Sequence, residues 1–232
     1  MGARSFMLAT RIPMSCDGFD EWLHTPLPGL DIIENPSAMY AGWAIDGAAA
    51  ANWDLTETAA HYPQAVAAIR ADRDKTPLHL FAARAAQGFS LLRHRDEALE
   101  AYLYDYHGEE TSTQTDLLML AGAGRFAHPG AEAPVMYWGG DIHPGLPMPG
   151  DEPRAIMLVT RTRARFVDTY PLDTLIANLT PIETDFITAT DYGEDEPPAQ
   201  PSPGLLDPAF HAYLSAVSTA HACRPSLPMT DQ

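Results

Sequence analysis

Lysine is nearly absent from this 232-residue chain: Lys75 is the lone one among 14 cationic residues, set against 31 acidic ones. The formal net charge is −17, a sign that repels phosphate backbones and anionic lipid. Neither nucleic acid nor a membrane surface is therefore expected as a partner. No run nears the roughly 18 consecutive apolar residues of a membrane-spanning helix. The segment from Met1 to Thr10 has no apolar core of a secretion signal, and Phe6 stands where a myristoylation pattern needs Ser or Thr. A cytoplasmic protein is the expectation. The two cysteines, Cys16 and Cys223, have neither metal spacing nor a dense framework around them. They are expected to be buried free thiols in a reducing cytosol, with a disulfide between them as the alternative.

Chemical motifs are scarce as well. Gly122 to Ala127 spells a glycine pattern of the dinucleotide-binding kind. His128, Pro129 and Gly130 stop any helix that would have to begin there, so a glycine turn is expected. Asp141 and His143 lie two apart and, with His128, make a two-histidine, one-carboxylate set. The glycines and prolines around them mark a loop, and no metal is expected. No nucleophile elbow occurs, and Cys16 has no histidine assigned beside it. No catalytic residue, cofactor or enzymatic activity is expected. A small metal-dependent hydrolase using Asp141, His143 and His128 is the rival reading, and an adaptor subunit of a secretion assembly is another.

What the chain does have is apolar content, at 46% of residues, enough for a sizeable core. The pattern predicts strands at Phe6 to Ile12, Phe89 to Arg93, Leu117 to Ala121, Val135 to Trp138, Ile156 to Thr160, Arg163 to Val167 and Thr174 to Leu179. Leu99 to Tyr106 alternates as a strand does, but Asp96 to Tyr106 also holds good helix formers. Helices are predicted over Asp17 to His24, capped by Asp17 with Phe19, Trp22 and Leu23 inward, and from Pro63 to about Arg73. Asp191 to Gly204 holds four prolines and four acids and reads as an extended linker. Asp207 and Pro208 then open a helix with Phe210, Tyr213, Leu214 and Val217 on one stripe. The expected fold is α+β: a central, mostly antiparallel sheet with a few flanking helices and a C-terminal helix after an acidic Pro-rich linker. The expected division is a core over 1–190, a linker over 191–204, and a C-terminal helix and tail over 205–232 packing on the core.

Charge is unevenly placed. Between Arg165 and Arg224 there is no lysine or arginine, while nine acids occur. Such a one-sign field steers a cationic partner and raises its association rate. Asp185, Asp191, Glu194, Asp195 and Glu196 are the expected contacts, with Tyr192 and Trp138 as aromatic anchors.

The runs Val135 to Gly140 and Arg154 to Val159, in an acidic, Trp-containing chain broken by Gly and Pro, resemble a known group. It is the immunity proteins of bacterial polymorphic-toxin and type VI secretion systems, in particular those paired with restriction-endonuclease-like nuclease toxins. The resemblance implies a cytoplasmic, non-enzymatic protein that binds one cognate toxin and blocks its active site or assembly. A nuclease presents positive charge to phosphate, so an acidic inhibitor suits its surface.

Overall fold

The computed structural model describes residues 5–41, 44–45, 48–49, 53, 59–60, 77–78, 90–105, 110–140 and 154–190. Eight strands are named: β1 (Ser5–Pro13), β2 (Ala44–Ile45), β3 (Ala48–Ala49), β4 (Ser90–Arg95), β5 (Ala98–Asp105), β6 (Ala133–Gly140), β7 (Arg154–Val159) and β8 (Ala164–Val167). Among the described residues the helices with given bounds are α1 (Cys16–His24), α2 (Glu110–Ala123) and α3 (Leu172–Thr190). Six strands form one sheet in the order β4-β5-β1-β6-β7-β8, every neighbouring pair antiparallel. β2 and β3 pair separately. The fold is α+β, as expected.

Register decides which residues share a face, because successive side chains point to opposite sides. Leu8, Thr10 and Ile12 of β1 line up with Leu103, Ala101 and Leu99 of β5, and Leu8 and Thr10 with Tyr137 and Val135 of β6. All of these are buried. This face packs under α1 and α2. The Phe19 ring lies 5.6 Å from the His94 ring, and Trp22 Nε1 donates to the Met119 carbonyl of α2 at 3.2 Å. The opposite face carries Met7, Ala9 and Arg11, the last two beside Tyr102 and Glu100, and it packs under α3. There the Phe186 and Tyr102 rings lie 4.6 Å apart, and Tyr102 meets Trp138 edge-on at 6.0 Å. The sheet is thus sandwiched between helices.

Local signals explain most elements. In α1 the cap is Ser15, whose Oγ accepts from Gly18 N–H at 3.1 Å, and not Asp17. Asp17 sits in the first turn, where its charge suits the helix dipole. Phe19, Trp22 and Leu23 face inward as expected. Leu99 to Asp105 is strand, which settles that ambiguity. Two strand expectations are overturned. Leu117 to Ala121 lies inside α2, where all five residues are buried. A helix apolar all round and a buried strand give the same short apolar run. Thr174 to Leu179 lies inside α3, with Leu175, Leu179, Ile182 and Phe186 buried at helical spacing. Pro181 stands inside that helix, on its exposed side.

The free-thiol expectation also fails for Cys16, which is disulfide-bonded; no cysteine among the described residues is free. Cys223 and the expected helices at 63–73 and 207–223 lie outside the described residues, as does the 191–204 linker.

The turn joining β4 to β5 has two central residues, Asp96 and Glu97, with φ of 49° and 52°. That is the geometry of the tight hairpin turn usually given to Asn-Gly. At the other end of the sheet order, the outer side of β8 is occupied by the residues before it. Asn35 Oδ1 accepts from Phe166 N–H at 2.8 Å, Asn35 Nδ2 donates to the Phe166 carbonyl at 3.0 Å, and Glu34 N–H donates to the Ala164 carbonyl at 2.9 Å. One amide side chain thus serves both backbone groups of an edge residue.

Candidate functional site

The densest polar cluster among the described residues lies beneath the C-terminal half of α3. Glu100 sits in mid-strand between Leu99 and Ala101, and its side chain is only 3% exposed. A carboxylate buried so deeply requires cationic partners. Register supplies them, since Arg11 of β1 and Arg93 of β4 are its direct cross-strand neighbours. Arg93 Nε donates to Glu100 Oε2 at 2.8 Å, and Arg11 Nε lies 3.4 Å from Oε1. Arg95 brings Nη2 to 3.4 Å from Oε1. Its Nε is 3.2 Å from Oε2 but is a buried atom with no aligned hydrogen-bond acceptor, so that contact is Coulombic.

The cluster then reaches the helix. Both Arg93 Nη2 and Arg95 Nη1 donate to Asp185 Oδ2, the latter at 3.0 Å. Burial alone would push the Asp185 carboxyl up. Hydrogen bonds and attraction from Arg93, then Arg95, outweigh it and hold the group below the usual carboxylate range. Burial likewise disfavours the Arg93 cation, but Asp185 and Glu100 together raise its pKa above the ordinary value. Three guanidinium groups and two carboxylates therefore clamp α3 to β4 and β5.

Two residues earlier on α3, Glu183 is buried, and it accepts from Tyr102 Oη at 3.2 Å. Burial pushes its carboxyl up, and the tyrosine hydrogen bond offsets part of that rise. Neighbouring acids on one helix are thus driven in opposite directions by their surroundings.

The expected contact residues fall in three places. Asp185 is in the clamp, its side chain 41% exposed and its charge already shared by two arginines. Trp138 is 1% exposed, with its ring against Tyr102, so it serves the core and is not a surface anchor. Asp191, Tyr192, Glu194, Asp195 and Glu196 lie outside the described residues, immediately after α3 ends at Thr190. Of the metal set, Asp141 and His143 also lie outside them. His128 Nε2 is 4.0 Å from Glu97 Oε2, and among the described residues no group of metal-ligating side chains forms.

The glycine pattern ends α2 and forms the turn that follows. A Cβ on Gly124 would collide with the Thr160 carbonyl oxygen, so this residue permits close packing against the β7–β8 turn. Exposed arginines stand at that turn, where Arg163 bonds Glu34 at 2.8 Å and Arg165 lies 3.6 Å from Glu132.

Sequence reasoning did not single out Arg11, Arg93, Arg95, Glu100 or Glu183. The available signal was Glu100 itself, a lone acid inside an apolar alternating run. Searches against protein-family models, curated proteins and solved structures each find no match for this chain.

Proposed function

We propose that this protein is a non-enzymatic, acidic immunity protein that binds and neutralises a cationic toxin, most simply a nuclease, in the cytoplasm of the producing cell. The binding residues are Asp191, Tyr192, Glu194, Asp195 and Glu196. Trp138 leaves the contact set because it is buried. Asp185 changes role, from partner contact to internal anchor.

One observation carries this reading. The Arg93–Asp185–Arg95 clamp fixes the helix that leads directly into the acidic run. The helix after which the acidic run follows in sequence is therefore held on the sheet, and fixing one end of a binding segment lowers the freedom it loses on association. The charge distribution adds to it, since no cation occurs between Arg165 and Arg224 to dilute the field. Among the described residues no helix is long and apolar enough to cross a membrane. Disulfides persist in oxidising compartments, so in a reducing cytoplasm that of Cys16 would have to be short-lived.

The test is association kinetics between the full chain and the product of the neighbouring reading frame. A variant carrying Asp191→Asn, Glu194→Gln, Asp195→Asn and Glu196→Gln is expected to associate about tenfold more slowly at low salt, with a shallower salt dependence. An unchanged rate and slope would remove the electrostatic basis of the proposal.

A further inference from the structure

Two hairpin tips emerge at the same end of the six-stranded sheet. β4 turns into β5 at Asp96 and Glu97, and β7 turns into β8 through residues 160–163. Register fixes the shared end. Ala98 pairs with Pro13 at the close of β1, Thr10 with Val135 near the start of β6, and Ala133 with Val159 at the close of β7. In the order β4-β5-β1-β6-β7-β8 the tips stand four strand spacings apart, about 19 Å at about 4.8 Å each.

The tips carry opposite charge. The Asp96 and Glu97 side chains are 80% and 71% exposed, and their nearest cationic groups, on Arg95 and His128, are 4.0 Å away. At the other tip Arg161 and Arg163 are exposed, as is Arg125 just past α2. Thr160 Oγ1 ties the turn together, accepting from Arg163 N–H at 3.3 Å and donating to the Arg163 carbonyl at 2.9 Å. Arg161 Nε donates to the Arg125 carbonyl at 3.3 Å, which joins the turn to the end of α2. Arg163 bonds Glu34, but among the described residues neither Arg125 nor Arg161 has a carboxylate partner. In a chain of 31 acidic and 14 cationic residues, that leaves a cationic tip which the chain does not itself neutralise. Between the tips Pro129 and Gly130 are exposed and uncharged.

From this arrangement we infer that this end of the sheet is a self-complementary surface for a second copy of the chain, the acidic β4–β5 tip of each copy meeting the basic β7–β8 tip of the other. A half-turn makes the exchange, about an axis through the midpoint between the tips that is perpendicular to the strands and to the line joining the tips. Such a contact is isologous, so it forms twice and closes at two copies. Exposed ion pairs are individually weak, and the dimer is accordingly a weak one. The net charge of −17 on each copy opposes association at low salt. At physiological ionic strength charges more than about 8 Å apart are largely screened, which removes most of that repulsion, whereas pairs in contact keep more of their attraction.

None of the residues assigned above to the toxin takes part, so the dimer stands or falls without that reading. Sedimentation equilibrium of the full chain at physiological salt, from about 10 μM to about 1 mM, covers the weak range. A monomer–dimer equilibrium is expected. A monomer at every concentration, or an open series of larger species, would overturn the inference. Salt at about 1 M should loosen the dimer, and a dimer equally tight there would mean that charge does not hold it. The Arg161→Glu, Arg163→Glu variant puts acids on both tips, and the Asp96→Lys, Glu97→Lys variant puts cations on both. Each alone should stay monomeric, and an equal mixture should form a heterodimer with two favourable contacts. A dimer of wild-type strength in either variant, or no association on mixing, would refute the tip-to-tip pairing. Asp96→Asn, Glu97→Gly removes the acidic charges with residues that the turn geometry favours, so folding is preserved. Its dimer should dissociate at least tenfold more readily, and an unchanged dissociation constant would exclude the acidic tip.

Discussion

The two faces of the central sheet are built from the same strands and held by different physics. Under α1 and α2 the face is almost wholly apolar, with Leu8, Ile12, Leu92, Leu99 and Val135 fully or nearly fully buried. Under α3, strands β1, β4 and β5 carry Arg11, Glu100, Arg93 and Arg95, and charges are paired across all three. A slip of one residue turns every side chain to the other face, so both faces fix the register, and the row of Arg, Glu and Arg adds directional partners to that. The apolar face supplies stability, and the ionic face holds α3 in one place on the sheet.

The contrast can be tested by cutting each face at adjacent residues of β5. Glu100→Ala is expected to cost most, about 4 kcal/mol, because it removes the buried carboxylate shared by Arg11, Arg93 and Arg95 and leaves the largely buried Arg93 cation with Asp185 alone. Leu99→Ala on the other face should cost about 3 kcal/mol through the cavity it opens. Urea unfolding of both variants checks the order. A Glu100→Ala cost under about 1 kcal/mol would mean that the ionic row is ornamental. In the hairpin turn, the paired changes Asp96→Asn and Glu97→Gly should stabilise by about 1 kcal/mol, since both positions hold positive φ. Thermal unfolding reads this gain.

The smallest effects lie within the ionic face, and pH separates them. Glu183 has a raised carboxyl in the folded state, so it contributes less stability as pH climbs from the ordinary Glu range through the raised value. Glu183→Gln should therefore stabilise at pH 8 and be neutral in acid. Asp185 has a lowered carboxyl, so its contribution is present above the ordinary Asp range and fades as pH falls. Asp185→Asn should destabilise at pH 7 and lose that penalty in acid. Denaturant midpoints at pH 8 give the two signs, and a second set at about pH 2, below the lowered Asp185 carboxyl, shows the penalty disappear; matching signs at pH 8 would contradict this account.

How much of this could be read from the chain alone depended on which force shaped each part. Strands β1, β4, β6, β7 and β8 were legible because alternation or compact apolar runs between turn residues reflect burial directly. Helix α2 was not, because Leu117 to Ala121 is enclosed all round and periodicity vanishes. The Leu, Met and Ala of that run, with no β-branched residue in it, were the better guide. Pro181 hid α3, since a proline there removes one backbone hydrogen bond and still leaves the helix intact where packing supports it. The clamp was illegible because arginine and glutamate in isolation read as surface residues; only register makes Arg11, Glu100 and Arg93 neighbours. Counting acids along the chain suggested an uninterrupted negative stretch. In space, Asp185 is offset by cations from β4, and Glu183 is hidden.

The side chain of Asn35 has a consequence for the molecule in a crowded cell. By filling both backbone positions of Phe166, it denies that flank to any incoming extended peptide. Loss of that single carboxamide would leave a sticky margin on a Val- and Phe-bearing ribbon, and misassembly into fibrils would be felt before any loss of fold.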